Sequence, residues 1–508
     1  MIIGAGINGL VAAALLARKG KRVLVLERSD RVGGCMRTEE ITVPGFHHDV
    51  MAATFVLFLT SPAHAELGED LAKHGLEFCH GAVPTGVLRP DGSALVLTMD
   101  RAANVVAFNA RAAGDGDQHA RDVGGIEADA PFLFALLGGP LWSWTTGKLM
   151  LRQAWSRGLV GLKAWMGQAL IPARGWLETS YSSPDVQALL APWVLHTGLT
   201  PESTYSGQMG RVIAFALEAA GAPVVKGGSG AAAEAFRRLI ESHGGEVRTG
   251  AEVSDILVEN GRAYGVVVDG QKISAAEVIA SVAPGQLYDT LLGQPETARG
   301  YRHGRGNFQL HFALDAAPDW AADGVEDVAL LHLTDGLDAV SKSANEAERG
   351  MLPETPTICV GQPTRLDPTR CPEGKAILWL QIPDAPRVIK GDAKGEITPN
   401  GWDEATREAF ADRIEAILAG HIRNWDQIKL QRRAYSPADL EAININLVGG
   451  DPYGGYCGID QFFVWRPFTG SRDTQTEIRN LHHIGASTHP GPGLGGGSGY
   501  NLAKRLGA

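Results

Sequence analysis

Four residues near the start of the chain have the types and spacing of phosphate chemistry: Gly4, Gly6 and Gly9 in a Gly-x-Gly-x-x-Gly run, and Glu27 eighteen residues beyond Gly9. Gly4 permits a tight turn, Gly6 lets a pyrophosphate approach the backbone, and Gly9 lets a helix pack closely on a strand. The free amides and dipole of a helix starting there face the phosphates. Glu27 is placed to accept the hydroxyls of an adenosine ribose. The elements that must position these groups are readable around them. Ile2-Ile3 ends a short apolar strand, residues 10–19 read as a helix, and residues 22–26 read as a second strand ending at Glu27.

A second element follows at once: Arg31-Val32-Gly33-Gly34-Cys35-Met36-Arg37-Thr38, then Pro44-Gly45-Phe46-His47-His48-Asp49. These residues resemble those of the amine oxidase and phytoene desaturase superfamily, in which a double glycine after the acidic strand end is typical of FAD rather than NAD proteins. The Pro44–Asp49 string resembles the start of the desaturase-like branch. That branch also holds retinol saturase and pyridine nucleotide-disulphide oxidoreductase-like proteins. The resemblance implies noncovalent FAD, held in this part of the chain by Gly4, Gly6, Asn8, Gly9, Glu27, Arg28, Gly33, Gly34, Arg37 and Thr38.

Two later stretches resemble further FAD segments of the same branch. Gly227-Gly228-Ser229-Gly230 precedes a helix over residues 231–242, a strand pair turns at Asn260-Gly261, and residues 277–281 read as a core strand. The resemblance places the backbone of Val253 against the adenine. At the C-terminus, residues 481–484 read as a strand, and Gly495-Gly496-Gly497-Ser498-Gly499-Tyr500 opens a helix. Relatives aim that helix N-terminus at the pyrimidine edge of the flavin, where aligned amides stabilise negative charge. Gly485, Gly493, Gly495 and Gly496 are the expected contacts, and no cysteine in this motif offers a covalent link.

The implied architecture is α/β. A Rossmann-type FAD-binding domain, discontinuous in sequence (residues 1–75, 222–295 and 475–508), accompanies an α+β substrate domain with a mixed sheet and helical cap (76–221 and 296–474). The Asp91-Gly92 turn between alternating strands marks the start of the substrate sheet. Residues 101–221 are helical in pattern. Residues 307–314 and 376–382 read as strands, and residues 404–419 as a helix stopped by Gly420. Residues 436–441, the Gly449-Gly450 and Gly454-Gly455 pairs, Gln461 and Arg466-Pro467 again resemble the desaturase-like branch, where this stretch passes beside flavin and substrate.

The chemistry the resemblance implies is an FAD-dependent dehydrogenase, or desaturase. A hydride leaves carbon for flavin N5 and a neighbouring proton is lost, leaving a C=C bond in a largely apolar carotenoid, terpenoid or cyclic ketone. His48, Asp49, His489 and Tyr500 are the groups expected nearest the flavin as proton acceptors. Each also has a structural reading: His48 and Asp49 as ties for their loop, His489 as a strand cap. Arg466 could bind a substrate oxygen, the flavin or a structural partner. Amine oxidation, polyene saturation or isomerisation, and a flavin-free lipid-binding role are the alternatives. With no second glycine fingerprint for NAD(P), oxygen or a quinone is the expected oxidant.

Composition bounds the remainder. At 508 residues the chain can hold two domains with ample core, and a net charge of −11 suggests no nucleic-acid partner. Cys35, Cys79, Cys359, Cys371 and Cys457 lack Cys-x-x-Cys spacing, which argues for a reducing compartment and against a zinc site. No signal peptide is read before the first strand and no apolar run is long enough to span a bilayer, so the expectation is a cytoplasmic protein. Peripheral membrane contact enters through residues 148–176, where large apolar residues alternate with Lys148, Arg152, Arg157 and Lys163. If that stretch is one regular helix, Lys148, Arg152 and Lys163 fall within about 60° of one another. Such a helix can lie on a membrane, or it can be a cap packed on its own domain.

Overall fold

A computed structural model describes residues 1–508. Its nucleotide sheet is parallel and five-stranded, in the order Leu481–Ile484, Val278–Ser281, Ile2–Ile3, Leu24–Leu26, Glu246–Arg248. The strands come from the beginning, middle and end of the chain, so the sheet closes only when all three segments meet. Buried on both faces, such strands must be apolar throughout, and Ile2, Ile3, Val25, Leu26 and Ile279 are all buried. Helix Ile7–Arg18 covers one face, and its whole alanine-rich length from Ile7 to Ala17 is buried. It starts three residues earlier than the sequence pattern suggests, with Gly6 as N-cap, because Gly9 belongs to its first turn. A Cβ on Gly9 would sit 2.2 Å from the Gly4 carbonyl oxygen, so this position admits glycine alone.

The second large sheet has seven strands, in the order Lys429–Tyr435, Gly306–Leu314, Ala376–Ala385, Ile358–Gly361, Leu330–Leu333, Thr85–Leu88, Ala94–Leu97. It is mixed: the pair Leu330–Leu333 and Thr85–Leu88 runs parallel, and its other neighbours run antiparallel. All nine residues of Gly306–Leu314 are buried, because both faces are covered. Phe308, Leu310 and Phe312 point to a cluster with helix Glu404–Ala419. Val87, Leu95, Leu330 and Trp379 point to the opposite cluster, under the helices that fill residues 101–220. The strand pair Val253–Glu259 and Arg262–Val268 does turn at Asn260-Gly261, both at positive φ, and sits in its own three-stranded sheet.

Two expectations need correction. The helix read from residue 67 runs Pro62–Lys73: Ser61 caps it by accepting from the His64 N–H, and Pro62 opens the first turn. The stretch 148–176 is not one helix. Helix Trp144–Ala169 kinks at Gly158, whose φ of 66° and ψ of 169° are not helical, and Ala173–Ser180 is separate. The kink breaks the phase, so Lys163 does not share one arc with Lys148 and Arg152. No helix is long and apolar enough to cross a membrane.

Candidate active site

The N-termini of helices Ile7–Arg18 and Gly497–Arg505 converge at the edge of the nucleotide sheet. The Gly499 N–H donates to Asn8 Oδ1 at 3.2 Å, and a Cβ on Gly499 would lie 1.9 Å from the Asn8 carbonyl oxygen. The positive ends of both dipoles are thereby held together. Beside them run two cavities, of about 320 Å³ and about 120 Å³, which share Gly6, Gly34, Val282, Asn444 and Asn446 and so form one groove.

The smaller cavity is lined by Gly4, Glu27, Arg28, Arg37 and Val253. Glu27 is fixed by two backbone donors, the Ala5 and Ser29 N–H groups, each at 2.8 Å. Its remaining lone pairs are free to accept ribose hydroxyls. The larger cavity takes Gly6, Asn8, Gly33 and Gly34 at one end, Met51 to Thr54 and Leu57 along one side, and Gly485 and Gly493 from the C-terminal segment. A Cβ on Gly6 would meet nothing within 4 Å, which leaves its backbone open to a ligand. This donor set fits FAD, with the adenosine at Glu27 and Val253 and the ring system in the larger cavity.

Of the expected cofactor residues, Gly9, Thr38, Gly495 and Gly496 do not line the groove. Gly9 acts by packing. Thr38 donates to Asp49 Oδ1 at 2.7 Å and accepts from the Gly230 N–H at 2.9 Å. A Cβ on Gly496 would strike Val11 at 2.6 Å, and Gly495 lies against the Leu57 backbone.

None of the four expected proton acceptors lines either cavity. His48 is fully buried, bonded to Thr42 and edge-on to His311 at 5.5 Å. Burial, then His311 and Arg370, pull its pKa down to about 2. Asp49 accepts from the Ser229 N–H and hydroxyl at 2.7 and 2.8 Å, and pairs with the buried Arg370 guanidinium at 3.0 Å. His489 donates through Nε2 to the Gly139 carbonyl at 2.9 Å, and burial lowers its pKa to about 4. Tyr500 sits beside Lys504, whose ammonium is 5.7 Å from the ring centroid. These groups fasten loops. Arg466 is also structural: its donors meet the Ala486 and Tyr453 carbonyls at 2.6 to 3.1 Å, and its guanidinium lies over the Phe462 ring.

The cavity wall opposite the nucleotide sheet was not legible as a site. It consists of Asn307 and Gln309 from strand Gly306–Leu314 and Trp379 and Gln381 from strand Ala376–Ala385. Gln309 pairs with Gln381 across the ladder, and His311 with Trp379, so all project from one face. The signal present in the sequence was alternation: Asn307, Gln309 and His311 interrupt Phe308, Leu310 and Phe312. The same paired row continues from Gln381 to Cys359 and on to His332, whose Nε2 is bonded to His196 Nε2 at 2.9 Å.

The lining of the larger cavity contains no Asp, Glu, Lys, Arg or His, and Trp379 is its sole aromatic residue. Its one titratable group is the Cys35 thiol, which burial pushes up to about 11 despite a hydrogen bond from Asn444. Around neutral pH the wall is therefore uncharged.

Comparison with known proteins agrees with this groove. A model described as flavin containing amine oxidoreductase matches residues 182–436, and one described as NAD(P)-binding Rossmann-like domain matches residues 2–71. The chain is 27% identical to a limonene dehydrogenase polypeptide of Castellaniella defragrans, over 100% of the chain and 94% of that protein. It is 25% identical to the zeta-carotene-forming phytoene desaturase of Myxococcus xanthus, over 97% of the chain and 90% of that protein. In fold it resembles cyclohexylamine oxidase from Brevibacterium oxydans, with a TM-score of 0.57 at 15% identity, covering 100% of the chain and 99% of that structure.

Proposed function

The chain belongs to the flavin containing amine oxidoreductase family and is an FAD-dependent oxidoreductase, and from that premise we propose that it dehydrogenates a neutral, largely apolar substrate, introducing a C=C bond. The observation that carries this reading is the uncharged cavity wall. A protonated amine entering it would leave its hydration shell and meet no carboxylate, which costs several kcal/mol. A neutral hydrocarbon skeleton gains from burial against Met51, Ala52, Ala53, Leu57 and Leu494. The named activities of the two relatives, limonene dehydrogenase and phytoene desaturase, support the same reading.

Bound FAD supplies the hydride acceptor. The chain's own contribution is positional and electrostatic. The Gly497–Arg505 helix, held by Asn8 against the first helix, presents free N–H groups and a positive dipole end to the groove. Met51 to Thr54 and the Asn307–Gln381 wall confine the substrate between them and keep bulk water out. No lining side chain takes the substrate proton, since none is a base near neutral pH. That suits a skeleton whose developing positive charge makes the neighbouring C–H acidic enough for water.

The test is the pH profile of cofactor reduction under anaerobic, single-turnover conditions with a neutral terpenoid. A wall without a titrating group predicts a rate constant that is flat from about pH 5 to about pH 9. A bell-shaped or sigmoidal profile in that range would sink the reading.

A further inference from the structure

Three polar atoms of the cavity wall have no partner: Asn307 Oδ1, Gln309 Oε1 and the Trp379 Nε1–H. Their residues are only 3%, 2% and 6% exposed. Groups buried to this degree are normally hydrogen-bonded, and the exceptions call for an explanation. Gln309 is oriented by its own amide, whose Nε2 donates weakly to the Met51 carbonyl at 3.4 Å, which leaves Oε1 facing away. One face of two neighbouring strands thus offers acceptors and one fixed donor over the space where the substrate lies. Resting on the dehydrogenase reading above, we propose that Asn307, Gln309 and Trp379 recognise a hydroxyl group on the otherwise apolar substrate. A hydroxyl donates one hydrogen bond and accepts others, so it satisfies an amide oxygen and the indole N–H together. A carbonyl answers only the indole, and a plain hydrocarbon answers neither.

The experiment follows anaerobic bleaching of the flavin band with three matched cyclic terpenoids: a hydrocarbon, its alcohol and its ketone. The wild-type ratio of reduction rate to half-saturation should favour the alcohol over the hydrocarbon by about a hundredfold or more, since a site built to bond a hydroxyl rejects the analogue lacking it. Trp379→Phe, which removes the N–H and keeps a ring, and Gln309→Leu should each cut that preference about tenfold or more, acting on the alcohol and not on the hydrocarbon. FAD content and thermal midpoint identify a variant that has misfolded, and the second variant then decides. If hydrocarbon and alcohol reduce the cofactor equally, or both variants slow all three compounds alike, the hydroxyl assignment fails and the dehydrogenase reading stands. If amines alone bleach the band, both fail.

A separate observation concerns helix Trp144–Ala169. Of its 26 residues only Thr146 is buried. Its outward side is apolar: Trp155 is 92% exposed, Val160 84%, Leu159 82%, Trp144 76% and Leu151 69%. In the turn pattern before the Gly158 kink, Trp144, Lys148, Leu151 and Trp155 fall within about 60°. Residues 142–170 contain no Asp or Glu, although the whole chain carries −11. Arg157 is tied to Asp129, while Lys148, Arg152 and Lys163 are exposed and make no salt bridge. The residues just before the helix fasten it to the loops beside the groove, through Gly139 to His489 and Gly138 to Asn501. We infer that this face docks on an anionic lipid surface, next to the cavity that takes an apolar substrate. Exposed tryptophans beside unpaired cations suit the lipid–water boundary.

The test sediments full-length protein with sucrose-loaded vesicles of phosphatidylcholine, with and without phosphatidylglycerol. Binding should require the anionic lipid, fall at high salt, and shift tryptophan emission to the blue. Lys148→Ala with Arg152→Ala should weaken it about 25-fold, near fivefold per cation. Trp155→Ser with Leu159→Ser should weaken it about tenfold or more, with FAD content unchanged. Absence of binding to either vesicle, or a wild-type dimer in solution that Trp155→Ser dissociates, would overturn the docking assignment.

Discussion

Replacing Arg370 by Met isolates the tie that holds the loop carrying His48 and Asp49. Arg370 is fully buried, and its guanidinium lies 3.0 Å from Asp49, which is 3% exposed. Asp49 also accepts from Thr38 and twice from Ser229, so it joins the glycine-rich loop of the first segment to the start of helix Ser229–Ser242. The Arg370→Met variant keeps most of the apolar volume and leaves the Asp49 carboxylate buried without its counter-charge. Breaking a buried pair in this way costs about 3–5 kcal/mol. At about 1.4 kcal/mol per factor of ten, that is roughly a 10²- to 10⁴-fold loss in the ratio of closed to open forms. Urea unfolding followed by flavin fluorescence reads the loss. Arg370→Met with Asp49→Asn should recover part of it, because the stranded charge is removed. The rate of cofactor reduction in the Arg370→Met protein that retains FAD should stay within about threefold of wild type, as expected if Asp49 takes no proton. A single variant within about 1 kcal/mol of wild type, or a stable protein whose reduction rate collapses, would refute the structural role assigned here.

Glu218 clamps the cap by accepting from His119, Arg101 and Asn104; burial alone would raise its pKa, but these bonds hold it at about 2, against an ordinary value of 4.5. Its folded pKa is depressed, so its stabilisation is present above about pH 4.5 and is lost as pH falls toward about 2; relative to Glu218→Gln the wild type should lose about 3 kcal/mol across that window in acid unfolding. Gly499→Ala puts a methyl 1.9 Å from the Asn8 carbonyl oxygen, so the two helix N-termini must part, and purified protein should carry less than about a tenth of its normal FAD by absorbance. Phe410→Ala, at a fully buried position under the seven-stranded sheet and away from the groove, should cost about 3–5 kcal/mol in urea while leaving the flavin spectrum unchanged.

The nucleotide half of the molecule was legible because its chemistry is local. A turn, a close helix approach and an acidic strand end each demand particular residue types at short fixed spacing, so Gly4, Gly6, Gly9 and Glu27 declare themselves. The helix over Glu404–Ala419 and the two Gly-containing hairpin turns were readable for the same reason. The substrate wall was not, since Gln309 and Gln381 lie 72 residues apart and meet only through strand register. His48 and Asp49 misled because a His-Asp pair beside a flavin motif looks like acid–base chemistry. Their burial against Arg370, His311 and Ser229 makes them a fastening, and those partners are hundreds of residues distant. The basic face of residues 148–176 was misphased because Gly158 at positive φ interrupts a pattern that a helical wheel treats as continuous.

The most direct test of the uncharged cavity as a dehydrogenase site is the visible spectrum of the purified holoprotein, mixed anaerobically with neutral terpenoids and with primary amines in parallel. The account predicts that a neutral compound bleaches the flavin band and yields a product lighter by two hydrogens, while amines leave the band intact. Bleaching by amines with release of the imine or aldehyde, and none by any neutral compound, would contradict it.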